Sequence, residues 1–258
     1  MPRKRLLSLV IVGLLAGFFS GLFGVGGGIV IVPLLVMLLA FPQRLASGTS
    51  LAAILPTAVA GSLGYAMRDE VDWTAAGCLA VGAIAGSLIG TWLLQRISQQ
   101  WLRWGFIAFQ LVMAVSLFLL VPSRDAELDY TVGSVLALIA LGLFTGTLSG
   151  LLGVGGGVIV VPMMMLLFGM GDLLAKGTSL VMMIPTSITG TLSNLRRNNA
   201  DIRAAAVIGL LAIPASFGGI AVAAAIPPQL GSILFALLLL FTASQLIRRS
   251  LKERRDKK

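Results

Sequence analysis

Gly17-Phe18-Phe19-Ser20-Gly21-Leu22-Phe23-Gly24-Val25-Gly26-Gly27-Gly28 occurs twice in this chain. Its second copy is Gly146-Thr147-Leu148-Ser149-Gly150-Leu151-Leu152-Gly153-Val154-Gly155-Gly156-Gly157, 129 residues later, about half the length of the 258-residue chain. Each copy continues into an apolar run and reaches a proline, Pro33 and Pro162. A glycine cluster inside an apolar run breaks a helix at membrane depth and bares backbone N–H and C=O groups. Such groups are tolerated there only when buried in protein or lining a cavity. In repeat-built transporters, interruptions at matching positions of the two halves point to the substrate site.

Working outward, Leu6 to Ala40 carries no charge. As one helix it would run about 52 Å against a hydrocarbon core of about 30 Å, so it must tilt or break. The break belongs at Gly24 to Gly28, since glycine costs a helix about 1 kcal/mol per residue. The apolar run also outlasts the h-region of a signal peptide. The register of 129 holds without a gap from Gly17 to Ala76. Gly48-Thr49-Ser50-Leu51 matches Gly177-Thr178-Ser179-Leu180, Pro56-Thr57 matches Pro185-Thr186, and Asp72 matches Asp201. This is an internal duplication.

Composition agrees. The chain is 57% hydrophobic and 11% charged, against roughly 25% charged in soluble proteins. The expected fold is an all-α polytopic membrane protein of two homologous halves, each of about four transmembrane helices and each opening with a glycine-broken, bent or re-entrant helix. The expected units are residues 1–122 for the first repeat, 123–130 for a connector, 131–248 for the second repeat and 249–258 for a basic cytoplasmic tail. The second span is expected over about Leu45 to Met67. Trp73 and Trp92 bracket the third as interfacial anchors. Gly13, Gly17 and Gly21, with Gly142, Gly146, Gly150 and the trio Gly82, Gly86, Gly90, read as faces for close helix packing.

A net charge of +9 does not mean nucleic acid, because the basic residues sit in short loops and at the two ends. With four parallel spans per half, Lys and Arg divide 15 to 4 between the two sides. With each broken segment crossing twice, the halves invert and the division is 16 to 3. Both arrangements place the N- and C-termini in the cytoplasm. The short arm after the break favours a bent or re-entrant arm over a full second crossing.

The chain has one cysteine, Cys78, and no histidine. That excludes Cys/His metal sites and Ser-His-Asp or Cys-His catalysis. Cys78 reads as a packing residue. The glycines are followed by no Gly-Lys-Ser/Thr, so they are no nucleotide loop. No enzyme activity, cofactor or metal is expected. All ten acidic residues are expected in loops, connectors or the tail, which argues against a proton or cation relay.

Neutral polarity remains. The candidate substrate-binding residues are Gly26, Gly27, Gly28, Thr49, Ser50 and Thr57, with Gly155, Gly156, Gly157, Thr178, Ser179 and Thr186. Backbone donors at helix starts bind anions, and the hydroxyls add further donors. Pro33, Pro56, Pro162 and Pro185 are expected to break helices. Lys176, Arg196 and Arg197 are candidates to attract an anion, although Lys176 also reads as an interfacial lysine and the arginines as topology anchors.

On the paired Ser-Gly-Leu-x-Gly-Val-Gly-Gly-Gly-x-x-x-x-Pro stretches, Ser20–Pro33 and Ser149–Pro162, and the paired Gly-Thr-Ser-Leu stretches, the sequence resembles the TauE/SafE family of sulfite exporters and related anion permeases. The resemblance runs from about Leu6 to Ile247. It implies a multi-pass permease of the bacterial-type inner membrane that moves sulfur-containing anions such as sulfite or sulfonates, with export favoured. The expected mechanism is alternating access between the halves. A carrier for neutral or zwitterionic solutes and a non-transporting assembly protein are the competing readings. The expected partners are a small anionic substrate and membrane lipids, with assembly into a homo-oligomer left open.

Overall fold

A computed structural model describes residues 3–119 and 130–255. Among these there are ten helices: α1 (Arg3–Phe23), α2 (Gly28–Leu38), α3 (Gln43–Ala66), α4 (Trp73–Arg96), α5 (Gln99–Leu119), α6 (Val132–Leu152), α7 (Gly157–Phe168), α8 (Asp172–Leu195), α9 (Ile202–Ala225) and α10 (Pro228–Arg255). Every helix of the second half starts 129 residues after its counterpart. The duplication thus extends over all five helices of each half, four long and one short. Six helices, α1, α3, α4, α6, α9 and α10, are long and apolar enough to cross a bilayer. Most of the expected connector lies outside the described residues.

The helix breaks follow from backbone chemistry. Gly24, Gly26 and Gly27 have φ of 69°, 69° and 78°, and Gly153, Gly155 and Gly156 have 74°, 91° and 87°. These left-handed conformations disfavour any side chain. The chain therefore leaves α1 and α6 and restarts at once as the short arms α2 and α7. The four prolines do not break helices. Pro33, Pro56, Pro162 and Pro185 each lie inside a continuous helix. Within a bundle, neighbouring groups and small adjustments accommodate the missing hydrogen bond.

Helix partners define the topology. Gly13, Gly17 and Gly21 of α1 meet Ile208, Ala212 and Ser216 of α9 in order, so these helices run parallel. A Cβ on Gly17 would lie 2.3 Å from the Ala212 carbonyl oxygen. Gly142, Gly146 and Gly150 of α6 meet Leu79, Ala83 and Ser87 of α4 in the same way, and Gly82, Gly86 and Gly90 answer from α4. The small-residue faces are thus packing faces, and each joins one half to the other. The long central helices α3 and α8 run antiparallel: Gly48 lies against Asn194 and Asn199, while Gly177 lies against Tyr65 and Glu70.

The halves are therefore inverted and interlocked. One face of the bundle, called here the near face, holds the start of α1, the loop before α3, the α4–α5 loop and the α8–α9 loop. Arg5 pairs with Asp201 there at 2.5 Å, and Arg44 donates to the carbonyls of Gln95 and Ile97. The far face holds the α3–α4 loop and the start of α8. α1 runs from near to far and α2 turns back toward the near face, so the broken segment is re-entrant. This arrangement corresponds to the 16-to-3 division of basic residues.

Trp73 and Trp92 occupy the two ends of α4 and are exposed, as interfacial anchors should be. Asp72 and Asp201, equivalent positions, cap α4 and α9 by accepting from Ala75 and Ala204 N–H. Tyr130, just before α6, donates to Asp72. Burial, and then that hydrogen bond to the carboxylate, raise its phenol pKa.

Candidate functional site

The two glycine breaks cross at the middle of the bundle. A Cβ on Gly28 would lie 2.5 Å from the carbonyl oxygen of Val154, and one on Gly157 would lie 2.6 Å from that of Gly24. α2 and α7 start from this crossing and run toward opposite faces. Their first turns are buried, and the first amides of each to find an acceptor within the break are Val30 and Ile31 on Gly27, and Ile159 and Val160 on Gly156. The N–H groups ahead of them form two electropositive helix starts facing one another.

Two side chains fill the space between the breaks. A Cβ on either Gly26 or Gly155 would lie 2.1 Å from the terminal methyl of Met183 and 3.0 Å from Ile54. Ile54 and Met183 are themselves equivalent positions, on α3 and α8. The centre is therefore closed by one apolar residue from each half. Ser20 and Ser149, the serines of the duplicated motif, sit one turn before the breaks. Both are buried, and their hydroxyls find no partner among the described residues; the same holds for Ser50.

The structure thus brings together Gly26, Gly27, Gly28, Gly155, Gly156 and Gly157. It does not gather the hydroxyl residues around them. Thr49 accepts from the N–H of Asp201 (3.0 Å) at the near face, and Thr178 accepts from the N–H of Asp72 (2.9 Å) at the far face. Each threonine clasps a loop of the opposite half. Thr57 and Thr186 donate to Ala53 and Met182 carbonyls one turn back in their own helices. Ser179 donates to Gly24 (2.5 Å) and Lys176 (2.9 Å) carbonyls, tying the start of the first break to α8.

The charged candidates separate as well. Arg196 is exposed at the near face. Arg197 donates to the Thr91 carbonyl (2.8 Å) and anchors the end of α4. Lys176 does not reach for the interface. It is 7% exposed and pairs with Asp172 at 3.0 Å. Among the described residues no acid falls within the six segments able to cross a bilayer, as expected, but Asp172 is not in a loop: it is the first residue of α8 and is 2% exposed. α7 ends at Phe168, capped by Gly169 with φ 65°, and α8 starts three residues after that glycine with a buried first turn.

Sequence reasoning passed over Ser20, Ser149, Ile54, Met183 and Asp172 as site residues. The two serines carried a signal, their place in the duplicated motif. The apolar pair carried none, because isoleucine and methionine in an apolar helix look like any core residue.

Known sequences agree with this architecture. The sequence model of the family described as "Sulfite exporter TauE/SafE" matches residues 9–172 and again 138–258. The chain is 33% identical over 210 residues to "Probable membrane transporter protein YunE" of Bacillus subtilis, covering 72% of this chain and 77% of that one. It is 30% identical over 207 residues to a "Probable membrane transporter protein" of Xylella fastidiosa, covering 78% of each. "Sulfite exporter TauE/SafE family protein 1" of Arabidopsis thaliana is 31% identical over 120 residues, covering 46% of this chain and 26% of that one. The duplicated, glycine-broken membrane bundle belongs to the TauE/SafE family of membrane transporters.

Proposed function

We propose that this protein is a permease for small anions, sulfite or organosulfonates, and that it exports them across the cell's inner membrane with the near face in the cytoplasm. The supporting observation is the crossing of the two breaks, where two helix starts from inverted halves face each other in a buried centre. An anion placed between them would meet backbone N–H groups from both sides, and these could replace its hydration shell. Ser20 and Ser149 offer two further hydroxyl donors. Inverted halves give two equivalent ways for the bundle to open, which is the geometry alternating access needs.

The excess of Lys and Arg on near-face loops and ends favours that face as cytoplasmic. With the interior negative, anion exit gains about 2.3 kcal/mol per charge per 100 mV, so export can run without a coupling ion. Ile54 and Met183 act as the gate that closes the centre between cycles.

The test is sulfite counterflow in proteoliposomes with the potential clamped. Gly156→Ala suits it, because a Cβ there finds its nearest neighbour at 3.3 Å, the flexible Met182 methyl. The cost is then chiefly the φ of 87°, about 1–2 kcal/mol. The expected outcome is protein that inserts normally and has lost most of its counterflow. Wild-type counterflow of sulfite or methanesulfonate that ignores the potential, or Gly156→Ala protein with full activity, would overturn the reading.

A further inference from the structure

The elbow between α4 and α5, at the near face, borders an open groove of about 600 Å³. Sites for small organic ligands span about 300–1,000 Å³. Arg96, Ser98 and Trp101 line the groove at the elbow, and Leu102 and Gly105 of α5 with Leu151 of α6 form its inner wall. None of its lining residues is acidic. Leu151 lies level with Gly90 of α4, where a Cβ would sit 2.9 Å from the Leu151 nitrogen. Gly90 precedes Arg96 by six residues, so the groove extends about 9 Å from the arginine toward the bilayer core. It is basic at its mouth and apolar below.

The mouth suits a phosphate. The Arg96 guanidinium carbon lies 4.0 Å from the centroid of the Trp92 ring. A guanidinium stacked by its face keeps its N–H edge for two oxygens of one phosphate. The Ser98 hydroxyl accepts from the Trp101 N–H (3.4 Å), which leaves its own proton to donate. Arg44 of α3 takes the carbonyls of Gln95 (3.0 Å) and Ile97 (2.6 Å), acceptors that would otherwise repel an anion at the elbow. Trp101 is 75% exposed and, with Trp92, marks the level of the lipid headgroups.

The far-face elbow, at the equivalent place in the other half, lacks these features. It carries Ala225 for Arg96, Pro227 for Ser98, Leu230 for Trp101 and Leu173 for Arg44. The apolar wall persists, with Leu22 for Leu151, but Leu234 stands where Gly105 leaves room. A Cβ on Gly105 would meet nothing within 4 Å.

We propose that the near-face groove binds an anionic phospholipid, with its phosphate on Arg96 and Ser98 and one acyl chain along Leu102, Gly105 and Leu151. A soluble anion would fill the mouth and leave the apolar wall bare. A zwitterionic lipid would bring its own cation up to Arg96. The arginine and the wall together therefore select a lipid whose headgroup carries net negative charge. The site is separate from the crossing of the breaks, and the proposal does not depend on which solute the protein carries.

The experiment titrates purified full-length protein in a neutral detergent with dioleoylphosphatidylglycerol or dioleoylphosphatidylcholine and reads the lipid-bound fraction by native mass spectrometry. Wild type is expected to bind phosphatidylglycerol at least about fivefold more tightly than phosphatidylcholine, the scale set by one arginine at a headgroup. Arg96→Ala installs the residue of the other half and is expected to lose that preference. Gly105→Leu also installs the residue of the other half. It puts its side chain into open space, fills the groove with Arg96 intact, and is expected to weaken phosphatidylglycerol binding at least about fivefold. A wild type without preference between the two lipids, or either variant binding phosphatidylglycerol as wild type does, overturns the proposal. So does displacement of the lipid by glycerol phosphate at comparable concentration, which would make the mouth a site for a soluble anion.

Discussion

The near-face and far-face ends of the bundle share a backbone and differ in chemistry. At the near end Ser47 donates to the Leu152 carbonyl and packs against Gly153, with Gln43 buried one turn away. At the far end the same backbone carries Lys176 against Gly24 and Asp172 one turn away. The glycines are held in common because positive φ and tight contact leave no alternative. The side chains around them have been free to diverge. An inverted duplication thus keeps a symmetric framework for two openings while letting each opening acquire its own charge.

Breaking that comparison should cost most at the charged end. Lys176→Met leaves Asp172 buried without its cation, which should destabilise by about 3–5 kcal/mol. Ser47→Ala, at the equivalent neutral position, should cost only about 1 kcal/mol. Thermal unfolding of the two purified variants should therefore separate them clearly, and equal melting temperatures would show that the ion pair is not buried as described.

At the centre, where the halves are most alike, Met183→Ala removes the methyl lying between Gly26 and Gly155 and should cost about 2–5 kcal/mol. It should also open the gate, raising passive methanesulfonate leak in proteoliposomes. Ile54→Val, on the other half, removes one methylene and should cost about 0.5–1.5 kcal/mol with little leak.

The smallest effects sharpen the symmetry. Thr49→Val and Thr178→Val each remove the acceptor of one loop N–H, and each should cost about 1 kcal/mol. Because the two clasps are equivalent, their melting shifts should match. A large difference would show that one half bears more of the fold than the other.

Much of this was legible in the residues. Gly24 to Gly28 and Gly153 to Gly157 had to break helices, and the 129-residue register is visible by eye. What a sequence does not carry is partner choice. Gly13, Gly17 and Gly21 announce a close neighbour without saying that it is α9 of the other half. Charge could not separate parallel from inverted halves, because inversion brings Arg44, Arg96 and Arg103 to the basic side and takes Arg68 and Arg124 from it, a net change of one. Thr49 and Thr178 read as binding hydroxyls because a clasp and a ligand contact use the same chemistry. Pro33 and its three counterparts read as breakers because the helix propensities that condemn them describe water. Asp172 looked like a loop acid because it follows the Gly169-Met170-Gly171 turn directly, and no pattern reveals that the first turn of α8 is buried.

The inversion itself is open to one direct measurement. Met67 and Arg196 are equivalent positions, both exposed and both in ordinary helical backbone just after α3 and α8. In a background with Cys78 replaced by alanine, a single cysteine is placed at one or the other, and intact cells are treated with a membrane-impermeant thiol reagent. The account predicts labelling of Met67→Cys in intact cells and of Arg196→Cys only after lysis. Labelling of both from the same side would contradict inverted halves, and with them the two-way opening on which the transport mechanism depends.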